Sequence, residues 1–406
     1  MKLIRSGSCK FQKLLTRDCV VKKRVSKSVS KIINDVRAHG DDAVLKYTRK
    51  FDHVKLRPRD LRVTETEISG AYQDLKPEII NALRLVTDNI NRFYRKTMKK
   101  SWKIKEKDGV FLGEKVTPID TIGVYIPSGT VPLVSSVYMT VLPAKIAGVK
   151  KIILASPPNK FGTIDPYILA MADLLEVNEV YKVGGAQAIA ALAFGTKTIP
   201  RVNKIVGPGN NYVTEAKRQV FGFCDIDMLA GPSEVLILAN QHANPDYVIK
   251  DLLAQSEHHK GVSILVTPSK RLAKIVKKEV ENGFLILTKN LDEAINITNE
   301  IAPEHLQIMV KNPNKVLKKI RNAGAIFIGA YTPVAVGDYV AGPSHVLPTA
   351  GTARFFSGLG IQSFLKTSHI ISYSKKALED ASGAMGKLTS IESLPLHMDS
   401  VNVRLH

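Results

Sequence analysis

With 406 residues, 44% of them hydrophobic and 23% charged, the chain is too long for one ordinary core and too apolar for disorder, so a globular protein of two or more domains is expected. Three distant cysteines, Cys9, Cys19 and Cys224, without CxxC spacing, exclude a disulfide framework and a cysteine metal site; with no signal-peptide or membrane-length apolar run, they point to a reducing cytoplasm and no membrane partner. The net charge of +21 would suit nucleic acid, but lysines are spread through every segment, and the one dense cluster, 91–107, carries aromatic residues (Phe93, Tyr94, Trp102) that serve as readily as core anchors as base-stacking platforms, so no nucleic-acid partner is expected.

Residues 1 to about 115 read as mostly helical. Spaced apolar residues run from Val25 to Leu45 with a break at His39-Gly40, and two more helices lie around Pro77 between Ile68 and Phe93. At Thr121 the pattern changes. TIGVYIP is a short strand stopped by Pro127 and Gly129; helix 134–147, strand KIILAS, helix 169–175, strand EVYKV, helix 186–194, strand NKIVGPG and helix 212–220 follow. After Gly231 the alternation restarts with EVLILAN, helix 246–258, VSILVTP, helix 271–282, FLIL, helix 292–301, LQIMV, helix 314–322 and AIFIG. Strands alternating with helices predict α/β architecture: two Rossmann-like, doubly wound parallel-sheet domains, an N-terminal helical segment and an extended C-terminal tail. The expected division is an arm at 1–24, a first domain formed by 25–123 with 233–360, an inserted domain at 124–232, and a tail at 361–406. That tail has few apolar residues of its own and needs something to hold it, such as a partner subunit.

Ligands in parallel sheets sit at the C-terminal strand edges, which directs attention to the loops that follow strands. Tyr125–Gly129, Gly184-Gly185-Ala186-Gln187 and Gly207-Pro208-Gly209-Asn210 are such loops; the two glycine turns would let a phosphate approach a helix N-terminus, although neither is a complete G-x-G-x-x-G. On the helix 246–258, Gln255 and His258 are three apart and share a face, a spacing that could present an oxygen and a nitrogen to a metal. Glu304 and His305 stand side by side at an element boundary, as two proton acceptors whose affinities the surroundings can set apart. Asp338 and His345 lie in a Gly- and Pro-rich loop, and Glu392 and His397 lie in the tail. Gln255, His258, Asp338 and His397 would give two nitrogen and two oxygen ligands, a set suited to zinc. His39, His53, His242, His369 and His406 read as surface or structural residues, His259 as a neighbour of the ligand pair or solvated, and Cys224 as structural.

From about Val25 to the C-terminus, the motifs GVYIPSG, VGGAQAIAALAFGT, KIVGPGNNYVTEAKRQV, DMLAGPSEVLILAN, DLLAQSEHH, APEHLQI, GDYVAGPSHVLPTAG and the E-x-L-x-x-H at Glu392 occur in an order that resembles histidinol dehydrogenases. The resemblance implies zinc-dependent oxidation of L-histidinol to L-histidine with two NAD and no free aldehyde, in a homodimer. It assigns Gln255, His258, Asp338 and His397 to zinc, the last from the other subunit, and Glu304 and His305 to proton transfer. It assigns Ser233, His305, His345 and Glu392 to substrate, alongside the zinc ligands, and Tyr125, Gln187 and Asn210 to NAD. The alternatives are a zinc- and NAD-dependent relative acting on another amino alcohol, or a basic nucleic-acid-binding protein on the same scaffold.

Overall fold

A computed structural model describes residues 1–17, 23–128, 132–258 and 260–406; Cys19, Gly129 and His259 lie outside the described residues. In chain order the elements are β1 (Lys2–Ile4), α1 (Cys9–Leu15), α2 (Lys23–Phe51), α3 (Glu65–Ala71), α4 (Pro77–Arg95), β2 (Trp102–Lys105), β3 (Phe111–Pro118), β4 (Thr121–Tyr125), α5 (Val134–Ala147), β5 (Lys151–Ser156), α6 (Pro166–Leu174), β6 (Glu179–Lys182), α7 (Gly185–Phe194), β7 (Lys204–Val206), α8 (Asn211–Val220) and β8 (Asp225–Ile226). They continue with β9 (Glu234–Ala239), α9 (Pro245–Ala254), β10 (Val262–Thr267), α10 (Lys270–Glu279), β11 (Phe284–Leu287), α11 (Leu291–Ile301), β12 (His305–Met309), α12 (Pro313–Leu317), β13 (Ala325–Ile328), α13 (Val334–Tyr339), β14 (Leu365–Ser372), α14 (Lys375–Ile391) and α15 (Pro395–Leu405).

Runs such as EVLILA are apolar at every position because helices cover both faces of a parallel sheet, and all six residues of β9 are buried. The strands form two parallel sheets, β6-β5-β4-β7-β8 and β1-β11-β10-β9-β12-β13. Leaving aside the added edge strand β1, both follow one order: the first strand of the unit is central, the next two step to one side, and the last two step to the other. Two doubly wound units are therefore present, as the alternation predicts. Among the described residues no helix is long and apolar enough to cross a membrane.

The N-terminal third docks differently from expectation. Val29, Ile32, Ile33, Val36 and Val44 of α2 share a core with Tyr125, Ile153, Ile189 and Ile205, while Val86, Ile90 and Tyr94 of α4 pack with Val137 and Val141 of α5. Segment 25–95 thus covers the five-stranded sheet instead of completing the 233–360 unit. The supposed arm does the latter: β1 pairs in register with β11, and Ile4, Phe11 and Leu14 join Leu236, Ile264 and Leu306. An amphipathic helix announces that it has an apolar face, but nothing in its periodicity says which of two equally apolar sheets receives it. The boundary expected near Gly123 falls inside the central strand β4. This glycine is a packing position, since an added Cβ would meet Leu192 Cδ1 at 3.1 Å.

The tail is not extended. After Phe364, β14 pairs antiparallel with β3, which also carries β2, and α14 and α15 fold as a hairpin beyond it. This third sheet goes unpredicted because its strands are mostly exposed on both faces and its main pairing joins segments about 250 residues apart in sequence.

Leu236 lies wholly buried in the centre of β9. Leu236→Ala is expected to destabilise the fold by about 2–5 kcal/mol through lost burial and a residual cavity, read as a lowered urea midpoint.

Candidate active site

The acid–base pair predicted at Glu304-His305 is held where β9 and β12 begin side by side. Pairing of His305 with Val235 sets the starts of the two strands together, so that Glu234 lies against the pair. The Glu234 main-chain N–H donates to Glu304 Oε2 at 2.8 Å, and His305 Nδ1 lies 2.9 Å from the Glu234 carbonyl oxygen. A carbonyl can only accept, so Nδ1 carries a proton, and whenever the ring is neutral its lone pair is on Nε2. Nε2 is buried without a hydrogen-bond partner and lies 3.5 Å from Asp338 Oδ1.

Both groups bind protons more tightly than usual. Burial raises Glu304 against the opposing pull of His305 and the Glu234 N–H, and the Ser233 hydroxyl lies beside the same carboxylate. Burial would lower His305, but the Glu304 and Asp338 carboxylates and the Glu234 carbonyl outweigh it and raise the imidazole. Burial would raise Asp338 likewise; His305, with His345 and His258 beyond it, instead holds that carboxyl below its usual range.

Glu304 and His305 do not lie where parallel-sheet geometry directs attention. Ser233, Glu304 and His305 stand at the N-terminal ends of their strands, and α13 runs back from the far edge to return Asp338 to them. The reason is local: the first residue of a parallel strand leaves main-chain groups free to hold side chains, and Glu234 uses both its N–H and its C=O in this way.

Gln255 and His258 do not share a helical face. The α-helix stops at Ala254, Gln255–Glu257 form a 3-10 turn, and His258 has extended backbone angles (φ −74, ψ 132). The chain must reverse here to enter β10, and it folds so tightly that a Cβ on Gly261 would meet the Gln255 carbonyl at 2.2 Å. The turn leaves Gln255 buried with its Nε2 unpartnered and His258 exposed, near enough for its charge to act on Asp338 and His345. His345 is half-buried, and desolvation holds it towards its neutral form; its Nδ1 donates to the Asp338 carbonyl at 2.9 Å and its Nε2 accepts from the Ser136 hydroxyl at 3.3 Å.

Glu392 and His397 are exposed on the α14–α15 hairpin, where the His397 N–H donates only to the Leu394 carbonyl. Among the described residues of a single chain, no three His, Cys, Asp or Glu side chains gather closely enough to hold a metal. Even so, the donor set fits one. The Gln255 amide is buried with one end unpartnered, and turned over it would offer an oxygen ligand in place of that nitrogen.

The opposite part of the site is the C-terminal edge of the five-stranded sheet. Burial pushes the Tyr125 phenol up to about 12, and its oxygen accepts from the Gly185 N–H at 3.1 Å. Gln187 is 1% exposed with its Oε1 unpartnered, and Asn210 caps α8 by accepting from the Tyr212 and Val213 N–H groups. Gly207 has φ +118, and a Cβ there would lie 2.1 Å from the Tyr125 carbonyl, so only glycine lets these loops meet. An unpartnered buried amide beside side-chain-free turns and two helix N-termini fits a phosphate-bearing cofactor.

A cavity of about 740 Å³ is lined by His305, Asp338, His345 and Asp227. Asp227 is a site residue that the sequence reading missed. Its Oδ2 accepts from Gly207 N at 2.8 Å, and its Oδ1 accepts from Lys217 Nζ at 2.6 Å, tying the glycine turn to the cavity. Ser136 and Glu234 were missed too. Only the DMLAGPS and GPSEV contexts of Asp227 and Glu234 hinted at them; Glu234 acts on the pair through its main chain, which no residue type advertises.

A family model described as Histidinol dehydrogenase matches residues 15–405. A histidinol dehydrogenase of Caldanaerobacter subterraneus subsp. tengcongensis is 45% identical, covering 98% of this chain and 96% of that protein. One of Clostridium acetobutylicum is 44% identical, covering 100% and 99%. The crystal structure of histidinol dehydrogenase from Elizabethkingia anophelis superposes with a TM-score of 0.94 at 35% identity, covering 100% of this chain and 98% of that one.

Lys217 and Asp227 are both almost fully enclosed, with side-chain exposures of 4% and 1%. Asp227→Ala leaves the ammonium buried without its carboxylate and is expected to cost about 3–5 kcal/mol in a urea-unfolding measurement; an unchanged midpoint would show that the pair contributes nothing.

Proposed function

Because the chain belongs to the histidinol dehydrogenase family, we propose that it catalyses the four-electron oxidation of L-histidinol to L-histidine through bound L-histidinaldehyde, using zinc and two NAD, as the last step of histidine biosynthesis. The observation that carries this reading is the His305 ring, fixed through Nδ1 so that its basic Nε2 opens beside Asp338 in the cavity. When bound, zinc held by Gln255, His258, Asp338 and His397 orients the substrate, and NAD at Tyr125, Gln187 and Asn210 accepts hydride.

The chain's own groups do the rest. His305 Nε2 accepts the hydroxyl proton as the alcohol is oxidised. Glu304, with Oε2 held by the Glu234 N–H and its proton affinity raised by burial, then accepts a proton from the water that adds to the aldehyde. Ser233 supports that carboxylate, and His345 forms a neutral wall, because both of its ring nitrogens are already engaged. Cys224 takes no part: burial pushes its thiol up to about 12, and its sulfur lies against the Val202 carbonyl.

Homodimerisation belongs to the same proposal. The hairpin exposes Leu388, Ile391, Leu396 and Val403, and Ile371 of β14 is exposed as well, apolar side chains that a partner's surface would take out of water. A second copy covering it would let His397 and Glu392 serve its own site. Free, separated cysteines suit a cytoplasmic setting.

Two NADH per L-histidinol, lost on chelation and restored by zinc, are expected in an absorbance assay; no NADH from folded, zinc-loaded protein would overturn the proposal. His305→Asn should retain L-histidinol binding by calorimetry while turnover falls about 10²–10⁴-fold. His397→Ala should lose metal in elemental analysis, and full zinc content would remove that residue from the ligand set.

A further inference from the structure

Behind the acid–base pair, on the side away from the cavity, a guanidinium joins the starts of the same two strands. β1 enters the six-stranded sheet at its edge, α1 packs Phe11 and Leu14 against the sheet's face, and Arg17 follows at the beginnings of β9 and β12. Arg17 Nε donates to Glu234 Oε2 at 2.6 Å and Nη2 to Glu234 Oε1 at 3.0 Å, a two-pronged pairing. Nη2 also donates to the Ile301 carbonyl at 3.0 Å, three residues before Glu304, and Nη1 donates to the Leu14 carbonyl at 2.6 Å. The Glu234 carboxylate is 1% exposed and the Arg17 side chain 15% exposed.

We propose that Arg17 is a positioning residue for proton transfer: it fixes Glu234 by its side chain, and Glu234 in turn fixes Glu304 and His305 by its main chain. The inference rests on the reading of that pair given above. A buried carboxylate must be paired, so without the guanidinium Glu234 turns towards water or takes up a proton, and the strand start moves with it. Both bonds that orient the pair, Glu234 N–H to Glu304 and Glu234 C=O to His305 Nδ1, are made by this one residue, so a shift there misplaces the acid and the base together. Arg17 touches neither the cavity lining nor any residue assigned to zinc or NAD, so the loss belongs in turnover and not in substrate binding.

Arg17→Met is expected to lower kcat about 10- to 100-fold, the cost of misplacement on the order of 1 Å, while KM for L-histidinol changes less than about twofold. Arg17→Lys keeps the cation without the fork and is expected to fall between this variant and the parent. If unpaired Glu234 prevents Arg17→Met from folding, Arg17→Met/Glu234→Gln, which leaves no buried charge alone, is assayed in its place and is expected to show the same split between kcat and KM. Parental kcat in whichever of these folds, or a loss that appears in KM, overturns the proposal. Glu304→Gln and His305→Asn assayed alongside separate the two readings: full turnover in both removes the acid–base assignment whatever Arg17 does, whereas their failure with an active Arg17 variant removes only the role of Arg17.

Discussion

A neutral imidazole has one lone pair, and the bond from His305 Nδ1 to the Glu234 carbonyl decides where it points. The starts of β9 and β12 must be neighbours for that carbonyl to be in reach, which parallel pairing of His305 with Val235 ensures. The cavity then acquires a base because a strand begins where it does. Asp338 faces the free nitrogen only because α13 doubles back along the unit, and His345 follows as a bridge to Ser136 on α5.

The same economy joins the two parallel sheets. The five-stranded sheet presents its C-terminal edge, with the usual glycine turns, while the six-stranded sheet presents its N-terminal edge, with acid–base groups. Asp227 belongs to both settings: it accepts from the Gly207 N–H and also lines the cavity holding His305. The fold thus places an edge suited to phosphate opposite an edge suited to proton transfer, with a buried Lys217–Asp227 pair between them.

Much of this was legible in the sequence, for physical reasons that also explain the failures. Buried parallel strands are largely apolar, so β4 to β13 stand out as runs such as KIILAS and EVLILA, except the two-residue edge strand β8, which has no such run, and the helices between them follow from period and length. Glu304-His305 drew attention because chemistry-bearing residues at an element boundary are visible. Gln255 and His258 were paired for a faulty reason: a helix was carried four residues past Ala254, because the tight turn that follows it involves Gly261, beyond the window in which periodicity is counted. The docking of α2 and α4 was misjudged, since amphipathicity is blind to destination. The third sheet was missed because β2 and β14 bury little and its main pairing joins segments about 250 residues apart, while the helical start of the tail at Ser374 was legible and α15 was not.

The pairing of Lys2 with Phe284 sets an order of events during synthesis. β1 has no partner until β11 is made some 280 residues later, while every strand of the five-stranded sheet is made before β9 begins. The half carrying the glycine turns can therefore collapse early on α2, whereas β1 stays unpaired until β11 emerges to receive it. Completion of the six-stranded sheet is in this sense a long-range closure between two segments made far apart in time.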